Sequence, residues 1–220
     1  MCYPVRNPEK PKVEPMHLTR RQTLATAVAF AALLGLPGLA AAQATPKVAE
    51  MSMGDPNAPV TLVEYGMFTC PHCAAFAADV LPKIKENYID TGKVRLVFRE
   101  VYFNKPALWA AMIARCAPAD RYFGIVDVLF STQQSWAGEG DEQAMLGKLY
   151  GIGRQAGLTN AEMDACMQDR AMAEALVAEY QKNAAADGVE GTPTFLINGK
   201  KEGNMSYEEF QARLDAALGA

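Results

Sequence analysis

The chain has 220 residues with 21 basic and 25 acidic side chains, a net charge of −4, and half of its residues are hydrophobic. That hydrophobicity without a low-complexity segment excludes a disordered chain, and an acidic balance without a basic run excludes nucleic acid as a partner. From Thr45 onward 176 residues remain, one domain's worth and enough to bury roughly 70% of the unfolded chain's surface.

The first element is an apolar run. Leu24 to Ala42 (LATAVAFAALLGLPGLAAA) holds 19 uncharged residues just behind the basic pair Arg20–Arg21, the layout of an export signal. Pro37–Gly38 break the apolar helix, and Ala42-Gln43-Ala44 supplies a small-x-small site that predicts a cut between Ala44 and Thr45. Thr19 to Leu24 (TRRQTL) resembles a twin-arginine address, with the general secretory route as its alternative. Met16 offers an equally good start, which would leave Cys2 untranslated. A retained anchor is the rival, since 19 uncharged residues just span a bilayer; the Pro-Gly break and the Ala-x-Ala ending weigh against it. Residues 1–44 are therefore expected to be an export signal, and the protein to be periplasmic. The remainder is more acidic, with 16 basic and 23 acidic residues, net −7.

Past the polar Met53-Gly54-Asp55-Pro56-Asn57 turn, Val60 to Tyr65 (VTLVEY) is β-branched and apolar and reads as a buried strand. Pro71 opens a helical pattern that runs to about Tyr88, because proline is tolerated where the first helical N–H would be unpaired anyway, and Gly92 closes it. Val94 to Val101 (VRLVFREV) is a second strand, so the connection predicts a parallel, right-handed βαβ unit. From about Lys105 to Asp187 the period is helical, with breaks at Pro118, Ser135 to Gly140 and Leu158, and a capping box at Thr159 to Glu162 restarts the helix. Thr194 to Ile197 is a strand, Asn198–Gly199 a hairpin turn, and Ser206 to Glu209 caps a last amphipathic helix through Leu218. The expected fold is α/β: residues 45–104 and 188–220 form βαβ and ββα halves, with an all-α insertion, 105–187, between them.

Chemistry concentrates in Phe68 to Ala74 (FTCPHCA). With Cys70 at the helix N-cap and Pro71 at the first helical position, Cys73 lies one turn on along the same face, where Cβ atoms are about 5–6 Å apart. That is close enough to make and break a disulfide without moving the backbone. Cys70 also sits where unpaired amides and the positive end of the helix dipole converge, which favours thiolate over thiol, and His72 adds a donor nearby. A stable reduced form means a bridge that is readily given away. A structural zinc site needs four ligands, and past residue 44 only His72 remains of the histidines; a c-type haem needs a histidine where Ala74 stands. A purely structural bridge would close too short a loop to restrict the unfolded chain much. A Cu(I) site using the two thiolates stays open as an alternative. Cys116 and Cys166 fall on separate helical segments; an oxidising compartment and an even count favour a bridge between them, with two buried free thiols as the other reading. Glu64 shares parity with Val60 and Leu62, so a carboxylate points at a buried face six residues before Cys70, unless it reaches water at the strand end.

CPHC after a strand, the helical insertion, and Gly191-Thr192-Pro193-Thr194-Phe195 before the last hairpin together resemble the DsbA family of thiol-disulfide oxidoreductases, a thioredoxin-like fold carrying a helical domain. The resemblance covers about Asp55 to Leu218. It implies that Cys70 is the exposed nucleophile, Cys73 the buried resolving thiol, and Pro193 a cis-proline facing them. It further implies that the backbone of Thr192 pairs with an extended substrate, and that Glu64 relays a proton to or from Cys73. Its implied partners are reduced exported proteins and a membrane quinone-linked DsbB-type reoxidant, with no cofactor and no metal. Threonine at 192 resembles the isomerase branch, so a disulfide isomerase or reductase is the alternative activity. The short segment ahead of the first strand favours a monomer and oxidation.

Overall fold

The structure is a computed structural model that describes residues 46–138 and 141–219. The expected export signal lies outside the described residues. A five-stranded sheet runs in the order β1-β3-β2-β4-β5, with β1 Met51–Met53, β2 Val60–Gly66, β3 Val94–Glu100, β4 Thr194–Ile197 and β5 Lys200–Glu202. The central pair β2 and β3 is parallel, in register from Val60↔Val94 to Gly66↔Glu100, and the other pairings are antiparallel. Both sheet faces are covered, which is why β2 reads as a nearly continuous apolar run. Val60 and Leu62 join Phe76, Ile84, Phe195 and Phe210 on one face; Val63 and Tyr65 pack with Val97, Leu196 and Ala184 on the other. The expected strands are all present. β1 is an addition: three residues long and next to a polar turn, it carries no alternating pattern of its own, and it is recruited as an edge by pairing Met51 with Phe98.

The helix that starts at Pro71 is not continuous to Tyr88. It divides into α1 Pro71–Asp79, α2 Leu81–Ile84 and a π-helical turn Lys85–Ile89. Pro82 explains the break, because its missing N–H cannot bond back into the preceding turn. Between β3 and β4 the chain forms α3 Lys105–Cys116, a single 3₁₀ turn, α4 Tyr122–Ser131, α5 Gln133–Trp136, α6 Glu142–Gln155, α7 Asn160–Gln168 and α8 Arg170–Asp187. α9 Tyr207–Leu218 closes the fold against α2 and the central strands. The capping boxes at Thr159 and Ser206 are both formed. Asn198 and Gly199 take φ of 48° and 82°, the backbone that a tight hairpin between β4 and β5 requires.

A disulfide braces the insertion internally, and a buried ion pair fixes it to the rest. Cys116 at the end of α3 is bridged to Cys166 in α7, a separation of 50 residues. Beside it Arg115 reaches the sheet, where Nε and Nη2 donate to Oε1 and Oε2 of Glu100 at 2.6 and 2.7 Å, and the Tyr122 hydroxyl donates to the same Oε1 at 2.6 Å. Nη1 of Arg115 also donates to the carbonyl of Ala49 at 3.0 Å, so one guanidinium ties α3, the end of β3 and the segment leading into β1.

Candidate active site

Parallel strands β2 and β3 end at the same edge, and Met67 to Cys70 carries the chain from β2 directly into α1. Cys70 is the N-cap residue with extended backbone, φ −88° and ψ 119°, and Pro71 occupies the first helical position as expected. Its carbonyl accepts from the N–H groups of Cys73 and Ala74, which builds the first turn around the two thiols. Both cysteines are in the free thiol form. Cys73 has no exposure and Cys70 has 6%. Cys70 is thus the more accessible of the pair, but it is not the openly exposed group that the resemblance implied, because Thr192 stands over it. The Cys70 thiol donates to the Thr192 carbonyl at 3.4 Å, and the Thr192–Pro193 peptide bond is cis.

The loop that presents Thr192 is held at both ends. At its start, Asp187 closes α8 and accepts the Tyr65 hydroxyl at 2.5 Å and Nη1 of Arg99 at 2.8 Å, and Gly188 takes the left-handed backbone with φ 64°. At its end, the Thr194 hydroxyl donates to the Gly191 carbonyl at 2.7 Å before β4 pairs with β2. His72 is exposed on the first turn, and its side chain forms no hydrogen bond with the described residues. The structure therefore brings together Cys70, Cys73 and Thr192, with Pro193 completing the loop, and leaves His72 at the rim.

Glu64 lies beneath this group. In β2 it stands opposite Phe98 of β3 and Phe195 of β4, is 2% exposed, and its Oε1 has no hydrogen-bond partner among the described residues. Burial, and then the charge of a Cys70 thiolate, push its carboxyl up to about 8. The Cys73 thiol is also pushed far above its ordinary value, by burial first and by a charge on Glu64 second, while the Met67 N–H donating to its sulfur at 3.5 Å pulls the other way. In this dry pocket charges on Glu64 and either sulfur oppose one another, so a proton gained by one is most readily given by another.

Three parts of the site carry no signature in the sequence. Asn104 caps α3 by accepting the Ala107 N–H at 2.9 Å, and its amide donates to the Thr69 hydroxyl at 2.9 Å, next to Cys70. Gln133, in the insertion, donates to the carbonyls of Phe68 and Cys70. Gly66 gives Phe98 its place: a Cβ there would meet Cε2 of Phe98 at 2.4 Å and Oε1 of Glu64 at 3.0 Å. Gly66→Ala is expected to destabilise the protein by about 1–3 kcal/mol through overpacking, measurable by urea denaturation, and an unchanged midpoint would show that the Phe98 ring can yield.

Comparison with known proteins agrees with this arrangement. The family model described as Thioredoxin matches residues 46–216. A Rickettsia bellii protein that bears a protein-disulfide oxidoreductase name is 32% identical over 170 residues, covering 77% of this chain and 64% of its own length. Disulfide bond formation protein D of Bacillus subtilis is 28% identical over 178 residues, 76% of each chain. The chain spans 60–64% of the length of the R. bellii and Rickettsia felis relatives. Among solved structures, α-DsbA1 of Wolbachia pipientis superposes with a TM-score of 0.71 at 29% identity, covering 80% of this chain and 94% of that one. Oxidised BdbD of B. subtilis gives 0.65 at 26% identity, covering 78% and 94%. The matched residues 46–216 include the sheet, the insertion, the paired thiols and the Thr192–Pro193 loop, and the chain belongs to the thioredoxin-like DsbA family.

Proposed function

We propose that the protein is a periplasmic thiol-disulfide oxidoreductase that donates the Cys70–Cys73 bridge to reduced exported proteins. The observation that carries this reading is the placement of Cys70 at the N-terminus of α1, against the Thr192 carbonyl, with Cys73 fully buried behind it. In the oxidised form a client thiolate attacks Cys70 Sγ, the Cys70–Cys73 bond breaks, and Cys73 leaves as a thiolate that takes a proton from the buried Glu64 carboxyl, whose charge couples to the Cys73 thiol. A second client thiolate then attacks the client sulfur of the mixed disulfide and Cys70 departs as a thiolate. The client is oxidised by two electrons and the pair is reduced by two. The helix N-terminus stabilises that departing charge, which favours donation over retention.

The backbone of Thr192 is the group an extended client segment would pair with, a sequence-tolerant mode suited to many clients. The Cys116–Cys166 bridge supports an oxidising compartment. No helix among the described residues is long and apolar enough to cross a membrane. A membrane quinone-linked DsbB-type partner would restore the disulfide, and the protein would act as a monomer. Equilibration with glutathione buffers of graded ratio, read by cysteine alkylation, tests the reading, with Cys116→Ala/Cys166→Ala as a parallel sample. A potential well above the glutathione poise is expected; one near that of thioredoxin, about −270 mV, would overturn donation in favour of reduction or isomerisation.

A further inference from the structure

The insertion touches the nucleophile's backbone through one buried side chain. Gln133 is the first residue of α5, is 6% exposed, and sends Nε2 to the carbonyl of Phe68 at 2.8 Å and to the carbonyl of Cys70 at 3.0 Å. A carboxamide nitrogen has two N–H donors, so these two contacts use its full capacity. The Phe68 carbonyl accepts no other hydrogen bond from the described residues. Removing Gln133 would therefore orphan that carbonyl and loosen the one that organises the first turn of α1.

The placement of α5 is itself well determined. The Trp136 indole donates to the Leu129 carbonyl at 2.7 Å, the Ser135 hydroxyl donates to the Thr132 carbonyl at 2.7 Å, and Lys148 donates to the carbonyl of Ser135. Trp136 is 1% exposed, and α4, which leads into α5, packs directly on α1. These contacts hold the four-residue helix with Gln133 against its acceptors.

We propose that Gln133 is a positioning residue for the nucleophile: it fixes the Phe68–Cys70 turn and places the positive end of an amide dipole beside Cys70, so that the helical insertion helps set the redox poise of the Cys70–Cys73 pair. The electrostatic part has a sign. The hydrogen bonds to Phe68 and Cys70 are available in both redox forms, but a charge on Cys70 exists only in the reduced one. A positive dipole end therefore stabilises the dithiol form selectively and makes the bridge a better oxidant. Holding the first-turn amides in line acts in the same direction. A neutral amide does this without introducing a charge that would need its own partner in a buried place.

The inference rests on the reading of Cys70–Cys73 as a redox pair, and the test separates the two. Gln133→Met keeps length and bulk while removing both donors; Gln133→Asn keeps the donors but is one methylene short. Each is equilibrated with graded glutathione buffers beside the unchanged protein, and the rate of Cys70 alkylation by iodoacetamide is followed at pH 6. Both substitutions are expected to move the equilibrium constant toward the oxidised form by roughly two- to tenfold, the net worth of about one hydrogen bond, and to slow alkylation in proportion. Melting of each redox form is measured in parallel. A merely structural role would lower both forms alike and leave the redox equilibrium unmoved, and that result overturns the inference. If Gln133→Met does not fold, Gln133→Asn decides by the same readouts. A pair that fails to equilibrate with glutathione even in the unchanged protein overturns the redox reading first, and the inference with it.

Discussion

Arg115→Leu is expected to destabilise the protein by about 3–5 kcal/mol, the cost of stranding a buried charge. Glu100 is 5% exposed, and three of the donors that reach its oxygens come from two side chains, Arg115 and Tyr122. With the guanidinium gone, one phenol remains to hold a carboxylate that water does not reach. For a domain of this length the melting midpoint should fall on the order of 10 °C. The loss belongs to the unpaired charge and not to the absence of a favourable pair. The triple variant Glu100→Leu, Arg115→Leu, Tyr122→Phe, which removes every member at once, should accordingly lie well above Arg115→Leu in stability. Calorimetry on the three proteins decides it, and an Arg115→Leu protein within about 1 kcal/mol of the parent would show that Glu100 finds other hydrogen-bond partners instead. The same guanidinium holds Ala49, so the edge strand β1 is expected to exchange its amides faster in Arg115→Leu than the central strands do.

That cluster also marks where reading the chain in order stops. Cys70, Pro71 and Cys73 were legible because their chemistry is local: a helix start, a proline at its first position and one turn of spacing are adjacent in sequence. The strands β2 and β3 were legible for the same reason, each carrying its apolar pattern within seven residues. The parity of β2 even placed Glu64 on a buried face. Gln133 was not legible, since nothing in Thr132-Gln133-Gln134-Ser135 distinguishes the amide that turns inward from the one that faces water; the distinction comes from a contact 63 residues away. Gly66 likewise reads as a strand end until the Phe98 ring is seen to need the space. The resemblance implies an exposed Cys70, whereas the thiol is 6% exposed beneath the Thr192 loop, a contact between residues 122 apart that no local pattern carries.

Glu64→Gln is expected to make the protein more stable and less active. The folded carboxyl keeps its proton up to about pH 8, whereas in the unfolded chain it releases it near 4.5. Between those values the unfolded state has lost a proton that the native state still holds, so native stability falls as pH rises from 4.5 toward 8 and levels beyond it. At pH 7 the cost is about 3 kcal/mol, and a glutamine, which does not titrate, removes it. The variant should therefore melt on the order of 10 °C higher at pH 7 and match the parent near pH 4. Activity should move the other way. Cys73, pushed up by burial, leaves more easily if a proton is at hand, and Glu64, pushed up to about 8, holds one at neutral pH. Without that group, reduction of the bridge by a model dithiol should slow by roughly tenfold or more at pH 7. Melting curves between pH 4 and 8, paired with stopped-flow reduction kinetics, test both halves. Parallel stability profiles for the two proteins would mean that Glu64 ionises freely in the fold. Unchanged kinetics with the expected gain in stability would make it a buried cost with no part in the exchange.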